Sequence, residues 1–187
     1  MKLHHLSFVL VMTVAGFVAN AQSAKPASDI LNEAYKTAAR EKKNIFVIFH
    51  ASWCGWCHKM DTAMNDRSVK AFFDKSYVVE HLTVKEAPTK KQDENPGASE
   101  LLQKYHAADL GIPFWVILDP KGNLLADSQE RPAGASLDSK GKNVGCPATQ
   151  KEVDFFVDVL KKTSSLKENE LKLIAERFRK NDRAAAH

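Results

Sequence analysis

The spacing of apolar residues changes period several times along the chain, and each change marks an element. Ile30, Leu31, Ala34, Tyr35 and Ala38 recur at helical spacing, which predicts a helix capped by Ser28 or Asp29 and closing in the charged stretch Arg40 to Lys43. Ile45-Phe46-Val47-Ile48-Phe49 is a continuous β-prone run, which suits a central strand covered on both faces. From Cys54 the residues permit a helix through Met60 and Met64, and a second helical turn starting at Asp66-Arg67-Ser68 would bury Val69, Phe72 and Phe73. Tyr77 to Val84 reads as the next strand. Lys85 to Ala98 is polar, carries Pro88, Pro96 and Gly97, and predicts a loop.

A helix over Ser99 to His106 leads to Gly111-Ile112-Pro113. Phe114 to Leu118 is another apolar strand, which turns at Asp119-Pro120-Lys121-Gly122 and pairs back through Asn123 to Asp127. Ser128 to Thr149 is a second long loop, of a length that is uncommon inside compact domains without a functional reason. Two helices close the chain, one with the apolar face Val153, Phe156, Val157 and Leu160, the other with Leu171, Ile174 and Phe178. The order of elements predicts an α/β layer structure with a mixed sheet. The final Ala184 to His187 reads as a frayed end or an appended remnant.

The N-terminus adds an address to this picture. Lys2 and two histidines precede the apolar run Leu6 to Ala15, Gly16 breaks it, and Ala19-Asn20-Ala21 offers a small-residue cleavage site. The pattern predicts a secretory signal peptide over residues 1–21, with Gln22 as the first mature residue and one domain over 22–187. A retained membrane anchor is the alternative; either way the domain is delivered outside the cytoplasm. No second apolar run approaches spanning length, so no stable membrane insertion is expected after cleavage.

Composition then narrows the function classes. With 44% hydrophobic and 27% charged residues the chain can bury a core without relying on disulfides. A formal charge of +4, with no dense basic stripe interleaved with aromatics, argues against a nucleic-acid partner. Three cysteines are too few for a disulfide scaffold, and two of them, Cys54 and Cys57, stand three residues apart. Lys90-Lys91 and Lys161-Lys162 read as solvated surface.

Such a pair suits thiol-disulfide exchange. A thiolate attacks a disulfide in line, and a second thiol nearby resolves the mixed disulfide that forms. Cys54, at the start of a helix, would face unpaired backbone N–H groups and the positive end of the dipole, which lowers a thiol's pKa. Cys57, one turn in, should be less exposed. Cys54 is thus the expected attacking thiol and Cys57 the resolving one.

Trp53-Cys54-Gly55-Trp56-Cys57 after an apolar strand, with Gly111-Ile112-Pro113 downstream, resembles the thioredoxin superfamily over nearly the whole mature domain. Within it, the stretch His50 to Met60 is similar to exported bacterial thioredoxin-like oxidoreductases with a Cys-Gly-Trp-Cys site. The resemblance implies a three-layer thioredoxin-like fold with an extra C-terminal helix, a redox-active Cys54–Cys57 disulfide, and no cofactor. It implies a cis bond before Pro113 that offers the Ile112 backbone to an extended substrate, and it carries over Trp53, Cys54, Cys57 and Pro113; with Trp56 added on its own reading below, the expected substrate-binding residues are Trp53, Trp56, Ile112 and Pro113. The partners it implies are protein thiols and disulfides, together with an exported or membrane electron donor. In one respect the chain departs from the superfamily: Ile48 stands where cytoplasmic thioredoxins carry a buried Asp that helps deprotonate the resolving thiol.

Several residues admit two readings. His58 can relay a proton beside Cys57 or serve as a solvated helix residue. Trp56 can offer an apolar platform to a partner or pack on its own domain. Cys146, in Gly145-Cys146-Pro147, can approach Cys54 and exchange with it, or pack as a small apolar residue at a helix entrance. A structural zinc site would need four ligands, which the pair lacks, so no resident metal is expected. Cu(I) held by the two thiolates, with His58 or Met60 as auxiliary ligand, is the rival to redox chemistry, as is partner binding without turnover.

Overall fold

The computed structural model describes residues 24–182. The expected signal segment 1–21 and the Ala184 to His187 tail lie outside the described residues.

The sheet is built around the apolar run. β1 (Asn44–His50) pairs in parallel with β2 (Tyr77–Thr83) on one side and antiparallel with β3 (Phe114–Leu118) on the other, and β3 carries the antiparallel edge strand β4 (Leu124–Asp127). The order β2-β1-β3-β4 is therefore mixed, with β1 and β3 in the middle. Because strand side chains alternate between faces, the central strands sort their residues into two cores. Phe46, Ile48, Trp115 and Ile117 face one way; Ile45, Val47, Phe49, Phe114, Val116 and Leu118 face the other. All five residues of Ile45 to Phe49 are buried, which is why the run is continuously apolar and not alternating.

Each core is closed by helices. α1 (Ala27–Glu41) and α4 (Ala98–Lys104) cover the Val47 and Val116 face with Leu31, Ala34, Ala38 and Leu102. On the Phe46 and Trp115 face lie α2 (Gly55–Met64), α3 (Lys70–Ser76), α5 (Gln150–Thr163) and α6 (Glu168–Arg179). Phe156 sits at the aromatic centre of that side, with ring centroids 4.8 Å from Phe178, 5.5 Å from Trp115 and 6.3 Å from Phe46. The result is the three-layer thioredoxin-like fold with an added helix, as the resemblance implied.

Local chemistry moved some boundaries. α1 begins at Ala27 behind Pro26, with no side-chain cap, in place of the expected Ser28 or Asp29 cap; the Ala27 N–H bonds the Pro96 carbonyl at 2.8 Å, so tertiary contact fixes the start. The polar stretch after β2 contains a 3-10 helix over Pro88–Asp93, and Asp66 organises the entry to α3 by accepting from the Ser68 N–H and hydroxyl. α5 opens on a capping box in which Thr149 and Glu152 satisfy each other's backbone donors.

The 128–149 segment is ordered by polar links in place of a core. Two short strands, β5 (Gln129–Glu130) and β6 (Lys142–Asn143), pair antiparallel. The Arg131 guanidinium grips the buried Asp127 carboxylate with two bonds of 2.7 and 2.8 Å and donates to the carbonyls of Leu137 and Ser139. Among the described residues no helix is long and apolar enough to cross a membrane.

Replacing Phe156 by Ala removes the ring that joins strands and C-terminal helices. The expected cost is about 3 to 5 kcal/mol in equilibrium denaturation, the usual range for a fully buried Phe; a loss under ~1 kcal/mol would mean that the aromatic cluster does not knit the two helices to the sheet.

Candidate functional site

β1 ends at His50, and the turn Ala51-Ser52-Trp53 delivers Cys54 to the N-cap of α2. Gly55 begins the helix, and the Cys57 N–H, one of the unpaired first-turn donors, bonds the Cys54 sulfur at 3.1 Å. Cys54 and Cys57 are joined by a disulfide, and both are buried together with Ala51, with the half-buried Ile112 packed against them. The helix start therefore already solvates the sulfur expected to act as nucleophile.

The Ile112–Pro113 bond is cis, and the Ile112 carbonyl lies 3.5 Å from the Cys54 sulfur. Thus 58 residues of separation are closed to contact distance. Two indoles flank the disulfide. Trp53 is 60% exposed and donates from Nε1 to the Lys85 carbonyl at 2.8 Å; Trp56 is 46% exposed, with the Lys59 ammonium 4.3 Å from its ring centroid. Trp56, Ile112 and Pro113 line a cavity of about 220 Å³ with Val144, Cys146 and Glu152. Of the residues expected to bind substrate, Ile112 touches Cys54, Trp53 and Trp56 are its neighbours along the chain, and Pro113 shares the cavity with Trp56 and Ile112.

The turn is held by a group that sequence reading passed over. The Glu86 carboxylate accepts the Ser52 N–H at 2.5 Å and the Ser52 hydroxyl at 2.8 Å, and these bonds, the backbone one foremost, keep its pKa below the usual carboxylate range. Glu86 sits in a stretch with no periodicity, 34 residues away, and nothing local marks it.

His58 has a defined task. Its Nε2 donates to the Ser52 carbonyl at 2.9 Å, tying the first turn of α2 back to the preceding loop. Met60 is fully buried in the core. The auxiliary ligands of the copper reading thus have partners of their own, the Ser52 carbonyl for His58 and the apolar core for Met60. Among the described residues no group of three or more His, Cys, Asp or Glu side chains has the arrangement of a metal site.

Below the turn, at the sheet edge, His50 meets the His81 ring edge-on with centroids 5.2 Å apart, and His81 Nε2 lies 2.8 Å from the Asp61 carboxylate. Burial, and then the neighbouring His81, push the His50 pKa below its ordinary value. Ile48, at the position of the superfamily's buried Asp, packs in the apolar core.

Cys146 does not join the active cysteines. It is a free thiol in the core on the α5 and α6 side, with the Asn181 amide donating toward its sulfur at 3.5 Å. Burial pushes its pKa up to about 12. Of its two readings, the packed small residue is the one that matches this position.

The family model of thioredoxin-like proteins matches residues 27–120, half of the chain, from the first helix through the strand after the Gly-Ile-Pro turn. The chain belongs to the thioredoxin-like family. Solved structures similar to this thioredoxin-like protein include a disulphide isomerase from Xylella fastidiosa Temecula1 (19% identity, 63% of this chain and 80% of that one, TM-score 0.45). A DsbH oxidoreductase is 20% identical over 83% of this chain and 95% of its own, with a TM-score of 0.43. The C-terminal domain of DsbD from Neisseria meningitidis, in its oxidised form, is 16% identical over 75% and 99%, with a TM-score of 0.43. No curated protein matches the chain.

Iodoacetamide should react only slowly with the native oxidised protein, even at high pH, because the Cys146 thiol is buried and little ionised. Unfolding should release one alkylatable thiol per chain, and peptide mapping should find Cys54 bonded to Cys57. Rapid native labelling of Cys146, or a bond from it to Cys54, would contradict the placement.

Proposed function

We propose that the protein is an exported thiol-disulfide oxidoreductase that acts on disulfides of other proteins. The observation that carries the reading is the Cys54–Cys57 disulfide at the first turn of α2, against the Ile112 carbonyl and between two exposed tryptophans.

In the reduced protein, the N-cap position and the Cys57 N–H favour the Cys54 thiolate. That thiolate attacks one sulfur of the substrate disulfide, forming a Cys54–substrate bond and releasing the other substrate sulfur as a thiolate, which takes a proton. Cys57, deprotonated, then attacks the Cys54 sulfur, forming the intramolecular disulfide and expelling the second substrate thiol. Two electrons pass from the dithiol to the substrate, and the same steps reversed make a disulfide in the partner. Trp53, Trp56, Ile112 and Pro113 form the surface that an incoming segment meets. Return to the dithiol requires an exported or membrane-held partner that supplies a dithiol. Export rests on the N-terminal pattern of residues 1–21.

Insulin reduction by dithiothreitol should be accelerated by the protein and fall to the uncatalysed rate in Cys54→Ser, while Cys57→Ala should accumulate mixed disulfides through Cys54. An inert wild type, or a Cys54→Ser protein as active as wild type, would refute the oxidoreductase reading. Protein recovered from native cells should be found outside the cytoplasm and begin at Gln22. Recovery with Met1 in the cytoplasm would refute export.

A further inference from the structure

The segment Asn143-Val144-Gly145-Cys146 passes directly against the Gly111-Ile112-Pro113 turn, although neither the redox motif nor the matched family region contains it. Three contacts set this approach. The Asn143 side-chain amide donates to the Gly111 carbonyl at 2.7 Å and to the Pro113 carbonyl at 3.1 Å, so one nitrogen spans the turn and holds it at both ends. Gly145 adopts φ +60°, and a Cβ there would stand 2.9 Å from the Pro113 carbonyl oxygen, closer than packing allows. The Trp115 indole, from the strand that follows the turn, donates to the Gly145 carbonyl at 2.8 Å and is fully buried.

Asn143 is itself fixed. Its Oδ1 accepts the Ser128 hydroxyl at 2.7 Å and the Gly145 N–H at 3.1 Å. Ser128 also accepts the Trp115 N–H and, through its carbonyl, the Val144 N–H, which ties the start of the long segment to its end. An amide with two donor and two acceptor contacts can satisfy all four here, and no other uncharged side chain of that size presents two N–H groups beside one acceptor.

We propose that Asn143 is a positioning residue for the redox site: by gripping the Gly111 and Pro113 carbonyls it fixes the backbone of Ile112 beside Cys54, where a protein substrate is aligned for exchange. The proposal rests on the oxidoreductase reading for its consequence and on the hydrogen bonds for its mechanism. It gives the long 128–149 segment a role, as the strut that carries this amide to the turn. Positioning matters most for a substrate that must lie along the turn. A small disulfide needs only the sulfur of Cys54, and its rate should ignore the strut.

The test compares Asn143→Ala and Asn143→Asp with Arg131→Lys, which loosens the same segment through its links to Asp127, Leu137 and Ser139 while leaving every side-chain contact of Asn143 in place. In both Asn143 variants kcat/KM for insulin should fall about tenfold, the order expected from losing one hydrogen bond's worth of alignment. The rate with bis(2-hydroxyethyl) disulfide should stay within about twofold of wild type, on the same measure of rate ratios. Arg131→Lys should keep the wild-type ratio of the two rates whatever it does to the melting temperature. Equal losses on both substrates, or none on either, would overturn the proposal, as would an equally altered ratio in Arg131→Lys.

A second arm is independent of catalysis. In the oxidised protein the carbonyl 13C shifts of Gly111 and Pro113 should move in Asn143→Ala and stay in place in Arg131→Lys. Unmoved shifts overturn the grip even if the enzyme is active; moved shifts with an inert wild type would leave the grip standing and remove the oxidoreductase reading.

Discussion

Burial of β1 on both faces is the constraint from which the rest follows. Sending Phe46 and Ile48 into one core and Ile45, Val47 and Phe49 into the other leaves the strand no exposed side, so helices must lie above and below it. A parallel partner, β2, then requires a crossover, and that crossover is the helix pair whose first turn holds the cysteines. The reactive sulfurs thus stand just beyond the end of a central strand buried on both faces, where the backbone emerges from the sheet with its direction already set. Chemistry that depends on in-line approach of three sulfurs gains from that rigidity.

How much of this was legible in the sequence depended on the range of the interactions involved. β1 and β3 rest on continuous burial and the faces of α1, α5 and α6 on periodic burial, and their residues show it directly. Cys54 and Cys57 were equally plain, since spacing and context lie within one turn. Boundaries set by distant contacts were not readable: the start of α1 is fixed by the Pro96 carbonyl, and Ser28 and Asp29, good caps by composition, go unused. The short strands β5 and β6 carry no apolar alternation because their stability comes from the buried Arg131–Asp127 pair and side-chain bonds to backbone.

The site divided along the same line. Its sulfurs and indoles announce themselves, whereas the groups that aim them do not. Glu86 and Asn143 are single polar residues in polar stretches, and each acts on backbone more than 30 positions away, Glu86 on Ser52 and Asn143 on Gly111. Neither residue type nor spacing separates them from ordinary loop side chains. His58 offered a local cue, next to Cys57, but its ring turned out to brace Ser52. The structure therefore surrounds a reactive pair readable from sequence with a frame of backbone-directed polar contacts that only the folded chain reveals.

The placement of Cys146 bears on how the protein matures. Three cysteines permit three alternative single bonds, all of them open to an unfolded chain under oxidising conditions. Cys146 lies more than 90 positions beyond Cys54, whereas Cys54 and Cys57 are neighbours, so chain statistics favour the short loop while the chain is still unfolded. Once α5 and α6 close over Cys146, the two longer pairings are removed from the ensemble. Folding itself then acts as the proofreading step that leaves the chain with a single two-electron couple.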